Sequence, residues 1–108
     1  MGSPNWQEGS TQTSVVVRTR RHFKTPEKFR VIFWNDDVTT FDFVIEVLGN
    51  IFNYDLRDAY LKALEIDGKG QAAVGIYIMS IAEAKRDATL HQAREQGFPL
   101  KVTIAPLA

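Results

Sequence analysis

The order of apolar patterns along residues 29–104 is the feature that most constrains the fold. Phe29–Trp34 and Ala72–Ile78 are apolar runs with β-branched and aromatic residues, and Pro99–Ile104 alternates apolar with polar side chains, so each predicts a strand. Stretches with helical spacing lie between them, which gives the order strand, helix, helix, strand, helix, strand. We therefore expect an α/β (α+β) two-layer sandwich with a three-stranded antiparallel sheet.

Short polar stretches predict where the helices begin. Thr39–Asp42 has the form of a capping box whose first threonine is the N-cap, and an apolar stripe carries that helix to about Phe52. Asp55 is the expected N-cap of the second helix, which Gly68–Gly70 ends. A second capping box, Ser80–Glu83, opens the third helix.

Composition excludes several classes of protein. The chain has 108 residues, of which 44% are apolar and 24% charged, as expected for one globular domain. It has no cysteine, which excludes disulfides, zinc–thiolate sites and thiol catalysis. No apolar run approaches the roughly 18 residues of a membrane span. We expect no membrane partner and a cytoplasmic location, with a plastid stroma as the alternative.

Charge divides the chain into two parts. Residues 1–24 are rich in Ser, Thr, Gln, Gly and Arg and predict a flexible N-terminal arm, followed by a core domain over residues 25–108. Residues 1–30 hold six Lys/Arg and two Glu, whereas residues 31–108 hold seven Lys/Arg and eleven Asp/Glu. The acidic core would repel phosphates, so we expect no nucleic-acid partner. The role of Val15–Val17 in the arm stays open.

The triplet Asn35-Asp36-Asp37 directly follows the first predicted strand. Asn and Asp form turns by bonding their own backbone, which is the plainest interpretation. An acidic pair after a strand also occurs in metal-binding receiver domains, but this chain is too short for their five strand–helix units. The third interpretation is a site for a cationic ligand, and the triplet alone does not decide among them.

Asp67 has an unusual position at the end of the second predicted helix. A carboxylate there faces the negative end of the helix dipole, which costs a few tenths of a kcal/mol up to about 1 kcal/mol. It is either a solvated residue beside Gly68 or an acceptor for a cation. Catalytic groups are not evident, because His22 and His91 have no nucleophile near them in the sequence. We expect no enzyme, no metal and no cofactor.

Several separated motifs together resemble the ClpS family, the adaptors of the Clp AAA+ protease. The resemblance covers about residues 25–108 and implies the α/β sandwich with a preceding disordered arm. It also implies that the chain binds the free α-amino group and bulky apolar first residue (Phe, Tyr, Trp or Leu) of N-degron peptides and proteins, and delivers them to an unfoldase. The matching motifs are Val31–Thr39, Phe43–Leu48, Gly75–Tyr77, Ala82–Lys85, Ala93–Glu95 and Pro99–Leu100.

The resemblance assigns expected roles to individual residues. Asn35 and Asp36 would face the α-amino group and the first peptide unit, and Asp37 and Thr39 would shape the adjoining backbone. Lys85 corresponds to a position that contacts the N-terminal domain of a ClpA/ClpC-type unfoldase, and a monomer is expected. The wall of the side-chain pocket would be formed by Phe41, Val44, Ala63, Ile66 and Leu100.

Five positions depart from the family pattern. Asp67 stands where a His is common, and Phe41 and Ala63 stand where two methionines are common. Thr40 replaces a proline, and Ser80 replaces an acidic contact residue for the unfoldase. These departures keep an alternative open, which is a diverged ClpS-like or ribosomal-stalk-like interaction module without N-degron recognition.

Overall fold

The computed structural model describes residues 26–107 and shows the expected α/β class and element order. The predicted arm, residues 1–24, and its Val15–Val17 run lie outside the described residues. No helix within residues 26–107 has both the length and the apolar content needed to cross a membrane. The elements are β1 (Lys28–Trp34), α1 (Phe41–Asn50), α2 (Leu56–Lys69), β2 (Gln71–Ile78), α3 (Met79–Glu95) and β3 (Lys101–Pro106).

The sheet has the order β2-β1-β3, and both pairings are antiparallel. The register between β1 and β2 shifts after Val31, which pairs with Gly75, whereas Ile32 pairs with Ala73. Val74 is therefore the extra residue of a β-bulge. The bulge reverses the alternation of side chains along β2, so that Val74 and Tyr77 both face the core.

The core lies between the helices and one face of the sheet. Val31 and Phe33 of the central strand are fully buried, as are Val47 and Leu48 of α1. Phe33 meets the ring of Phe52 edge to face at 5.5 Å, a geometry worth about 0.5–1.5 kcal/mol beyond the buried area. Because β1 is the central strand, the loop that follows it is anchored on a rigid support.

The predicted start of α1 is wrong by one residue. Thr40, not Thr39, is the N-cap, and its hydroxyl accepts a hydrogen bond from the Phe43 N–H at 3.1 Å. The Thr39 hydroxyl instead donates to Asp36. The start of α2 is confirmed, since Asp55 caps it through the N–H three residues on. Its end is confirmed by the left-handed C-cap at position 70.

Two further boundaries differ from the prediction. The capping box at Ser80 is wrong, because β2 passes into α3 without an intervening residue and Ser80 is the second residue of the helix. The N-cap is Ile78, whose side chain makes no capping bond. The last strand begins at Lys101 rather than Pro99, since Trp34 at the end of β1 pairs with Lys101.

Candidate functional site

The loop after β1 is folded around the carboxylate of Asp36. Its Oδ1 accepts hydrogen bonds from the N–H groups of Val38 (2.8 Å) and Thr39 (2.6 Å), and its Oδ2 accepts from the Thr39 hydroxyl (2.7 Å). Burial raises the pKa of the Asp36 carboxyl, but the hydrogen bonds from Thr39 and Val38 outweigh it and hold that pKa below its ordinary value. The turn chemistry considered from the sequence is therefore present at Asp36.

Asn35 lies beside the C-terminal end of α2. Its N–H donates to the carbonyl of Gly70 at 2.9 Å, directly beyond the last β1–β2 pair, and the last turn of α2 carries Asp67. The side chains of Asn35 and Asp67 are both exposed. An amide oxygen, a carboxylate and the negative end of a helix dipole all favour a cation. The fold thus places Asn35 beside the helix end that carries Asp67, a residue 32 positions later in the sequence.

The five residues expected to form the pocket wall differ in exposure. Val44, Ala63, Ile66 and Leu100 are buried in one hydrophobic core, whereas Phe41 is 36% exposed. The Phe41 ring packs edge to face on Tyr60 of α2, with the ring centroids 5.7 Å apart. Residues 26–107 do not enclose a pocket here. The structure therefore separates the five residues into one exposed ring and four residues of the core.

Tyr60 is a site residue that the sequence reasoning missed. Its spacing with Ala63 and Leu64 is typical of the apolar stripe of a helix, which predicts burial, yet its side chain is 48% exposed. The spacing offered a signal, because Asp67 follows Tyr60 by seven residues, or about two helical turns, and so lies on the same face. Phe41, Tyr60 and Leu64 together present exposed apolar surface next to Asp67.

Within the part of the chain that the structure describes, no three His, Cys, Asp or Glu side chains converge as a metal ion requires. The carboxylate of Asp36 is directed into its own loop, and Asp37 is exposed.

Lys85 and Ser80 lie away from this site. Asn35 follows the C-terminal end of β1, whereas the N-terminal residue of that strand pairs with Ile78, the residue before α3. Seven strand residues separate these two ends by roughly 20 Å. Ser80 is exposed in the first turn of α3. The structure therefore places the two predicted unfoldase contacts apart from the predicted substrate contacts.

The ammonium group of Lys85 makes contacts within the protein. Its Nζ donates to the carbonyl of Ile51, the C-cap of α1, at 2.6 Å. The same atom lies 5.5 Å from the ring centroid of Phe52 and 5.3 Å from that of Tyr77. Lys85 thus links α3 to the C-terminal end of α1.

We expect Lys85→Met to lower the free energy of unfolding by about 1–3 kcal/mol. Met keeps most of the apolar stem but loses a charge-assisted hydrogen bond and two cation–π contacts. Lys62→Met is a matched control, because the partly exposed Lys62 makes one ion pair among the described residues, with Glu65 one helical turn away, worth about 0.5 kcal/mol. Urea unfolding measures both values. Equal losses in the two variants would contradict the structural role of Lys85.

Comparison with known proteins identifies the family. A sequence model of the ATP-dependent Clp protease adaptor protein ClpS matches residues 24–103. The chain belongs to the ClpS family. ClpS proteins are substrate adaptors of the Clp protease, and the resemblance seen in the sequence motifs is confirmed.

Individual ClpS proteins match over most of their length. The chain is 39% identical over 92 residues to the ClpS adapter of Nautilia profundicola, covering 85% of this chain and 95% of the relative. It is 38% identical over 97 residues to the ClpS adapter of Acetivibrio thermocellus, covering 90% of this chain and 98% of the relative. The structure of Agrobacterium tumefaciens ClpS2 bound to L-phenylalaninamide matches with a TM-score of 0.73 and 30% identity, over 76% of this chain and 99% of that chain.

Proposed function

We propose that this ClpS-family chain is a non-enzymatic adaptor that binds the first residue of N-degron substrates and delivers them to a Clp AAA+ unfoldase. The observation that carries the proposal is the hydrogen bond from the Asn35 N–H to the carbonyl of Gly70, the C-cap of α2. It places Asn35 beside the helix end that carries Asp67, on the same helix whose Tyr60 packs against the exposed ring of Phe41. Polar acceptors beside an apolar surface fit a ligand with an ammonium group and a bulky apolar side chain.

The α-ammonium group is a compact cation with three hydrogen-bond donors. The amide oxygen of Asn35 and the carboxylate of Asp67 are acceptors for two of them, and the adjoining helix end adds a favourable dipole. Charge-assisted hydrogen bonds are about twice as strong as neutral ones. Asp37 and the backbone of Thr39 lie further along the loop, where the next peptide unit of the substrate would pass.

The first side chain of the substrate would be held by Phe41 and the four core residues beneath it. Phe41 now packs on Tyr60, so we propose that its ring turns aside and that the incoming side chain takes over part of this contact. An aromatic or Leu side chain has the required apolar area. The amide of phenylalanine bound by Agrobacterium tumefaciens ClpS2 has a free amine and such a ring, which supports the proposal.

The unfoldase would dock at the start of α3. An adaptor holds its substrate and the protease together, which raises the effective concentration of the substrate, so its two surfaces must not overlap. Ile78, Met79 and Ile81 are exposed large apolar residues around Ser80. Because the Lys85 ammonium is engaged within the protein, we expect these apolar residues to supply much of the contact with the N-terminal domain of a ClpA/ClpC-type unfoldase. The adaptor would act as a monomer in the cytoplasm.

Peptide binding tests the proposed function. Fluorescence anisotropy compares a labelled peptide that begins with Phe, its N-acetylated twin and a peptide that begins with Ala. Tight binding of the free Phe peptide alone would support the adaptor. Equal binding of the free and acetylated peptides would favour the alternative, a diverged ClpS-like or stalk-like module without N-degron recognition.

The carboxylate of Asp67 predicts how the affinity for the peptide depends on salt. A carboxylate that pairs with the α-ammonium makes binding sensitive to ionic strength, whereas a neutral His at this position accepts a hydrogen bond without a full charge. Between 50 and 500 mM salt we expect the affinity of the parent to fall by about fivefold, and that of Asp67→His by about twofold, at pH 8 where an ordinary His is neutral. Anisotropy titrations measure both. Parallel salt dependences would contradict the charge pairing.

Asp58→Asn is the matched control for this salt experiment. Asp58 is also an exposed carboxylate of α2, but it lies in the first turn, at the opposite end of the helix from Asp67. Its removal changes the net charge by the same amount without touching the proposed site. The Asp58→Asn variant should therefore keep the salt dependence of the parent.

A further inference from the structure

We infer that Asp36 is a positioning residue, whose carboxylate holds the loop directly after Asn35 through Val38 and Thr39, while Asp67 supplies the charge that recognises the α-ammonium group. The two carboxylates of the site would then have different tasks, although both are acidic and both lie near Asn35. The inference rests on the proposed function and divides the roles within that same site.

The hydrogen bonds of Asp36 leave little capacity for a ligand. A carboxylate has about four acceptor positions. Three of them are taken by donors from Val38 and Thr39, at 2.6–2.8 Å, within three residues of Asp36 itself. These lengths are typical of strong bonds to a charged acceptor. A ligand amine would have to compete with them or use the one remaining position.

Asp67 and Asp37 differ from Asp36 in this respect. Both side chains are exposed, and within residues 26–107 neither carboxylate accepts a hydrogen bond from the protein. Asp67 is also adjacent to the negative end of α2, which favours a cation, whereas Asp37 lies in the loop. Among the described residues, Asp67 is therefore the carboxylate that accepts no hydrogen bond and lies beside the favourable dipole.

Two substitutions of Asp36 separate positioning from charge. Asp36→Asn removes the charge but keeps a side-chain oxygen that accepts from the two backbone N–H groups, as Asn does in turns of this kind. Asp36→Ala removes all three hydrogen bonds. A positioning role predicts a loss of affinity for the free Phe peptide of at most about threefold in Asp36→Asn and of more than about tenfold in Asp36→Ala.

Thr39 provides a second pair of variants for the same loop. Thr39→Val removes the hydroxyl that donates to Asp36 but keeps the shape of the side chain, and we expect a loss of about three- to tenfold. Thr39→Ser restores the donor and should restore most of the affinity. Because both residues act through one set of bonds, the losses of Thr39→Val and Asp36→Ala should not add up in the double variant.

Salt dependence identifies the residue that carries the charge. The full chain is titrated with the free Phe peptide at 50–500 mM salt, as the parent and as the Asn variants of Asp36, Asp37 and Asp67. We expect only Asp67→Asn to flatten the salt dependence. A flattened slope in Asp36→Asn, with a loss above about tenfold, would show that Asp36 binds the amine directly and would overturn the inference. A flattened slope in Asp37→Asn alone would overturn the assignment of the charge to Asp67.

A measurement without peptide keeps this test distinct from that of the proposed function. Hydrogen exchange of the loop amides, followed by NMR, should accelerate at Val38 and Thr39 in Asp36→Ala and stay near the parent rate in Asp36→Asn. Unchanged exchange in Asp36→Ala would overturn the positioning role even if peptide binding is normal. Equal binding of free and acetylated peptides, by contrast, would reject the proposed function and with it the assignment of the charge to Asp67.

Discussion

A peptide that begins with a free Phe is expected to bind about 100-fold more tightly than its N-acetylated twin. Acetylation replaces an ammonium group with three donors by a neutral amide with one. The carboxylate of Asp67 would lose its ionic partner, and the side-chain oxygen of Asn35 would lose a hydrogen-bond donor. The bound peptide would still cover both of these acceptors and keep water from replacing the lost partner. Leaving a charged group without its partner at an interface costs about 2–5 kcal/mol, which corresponds to a factor of about 30 or more.

The peptide that begins with Ala separates the amine from the side chain. Burying a Phe side chain contributes about 1.5–3 kcal/mol, so the free Ala peptide should bind roughly 10- to 100-fold more weakly than the free Phe peptide. Binding that requires the amine but ignores the first side chain would show a cation site without an apolar pocket. Binding of neither free peptide would contradict recognition of N-terminal residues by this chain.

The sequence predicted those parts of the fold that depend on local patterns. The β-branched run before Trp34 and the cap of α2 at Asp55 are local signals, and both are confirmed. Asn35 and Asp67 were also candidates from the sequence, because the motifs that resemble ClpS include Asn35 and because a carboxylate at the C-terminus of a helix is unfavourable. That Asn35 lies beside α2 depends on the β1–β2 pairing, which the predicted antiparallel sheet permits but whose strand order it did not specify.

The predictions that were wrong concern residues whose position depends on contacts between secondary-structure elements. Thr39 and Thr40 are equally good N-caps by their chemistry, but the Thr39 hydroxyl bonds to Asp36, whereas that of Thr40 accepts from the Phe43 N–H. Tyr60 fits a core-facing stripe, and its exposure depends on how α1 packs against α2. The engagement of Lys85 with the carbonyl of Ile51 joins residues 34 positions apart. Such contacts require the register and packing of the whole fold.

The sequence did not predict the β-bulge in β2. Gln71–Ile78 is apolar at almost every position, so its sequence shows no alternation that an extra residue could interrupt. The presence of Gly75 within the strand was the one visible irregularity. In the structure, the side chain of Tyr77 lies close to Gly75 and leaves no room for a Cβ atom, whereas the backbone angle of Gly75 is not unusual.

Replacement of this glycine is expected to have the largest effect on stability. Gly75 and Tyr77 are two residues apart on one strand, so their side-chain positions lie on the same face. A Cβ atom at Gly75 would lie 2.6 Å from both Cε2 and Cζ of the Tyr77 ring. The ring cannot move without weakening its contacts with Lys85 and Phe52. We expect Gly75→Val to lower the free energy of unfolding by about 3 kcal/mol, as overpacking of a core does.

Gly68→Ala is a control that should raise, rather than lower, the free energy of unfolding. Gly68 lies inside α2, and a Cβ atom there meets no atom within 4 Å. Since Ala is a better helix former than Gly, this variant should gain about 0.5–1 kcal/mol. Urea unfolding measures the free energy of unfolding of both variants. When Gly75→Val is combined with Tyr77→Ala, much of the loss caused by Gly75→Val should disappear, because the ring that the new side chain would strike is absent. An equally large loss in the presence of Tyr77→Ala would show that the glycine is needed for the bulge itself and not for the ring.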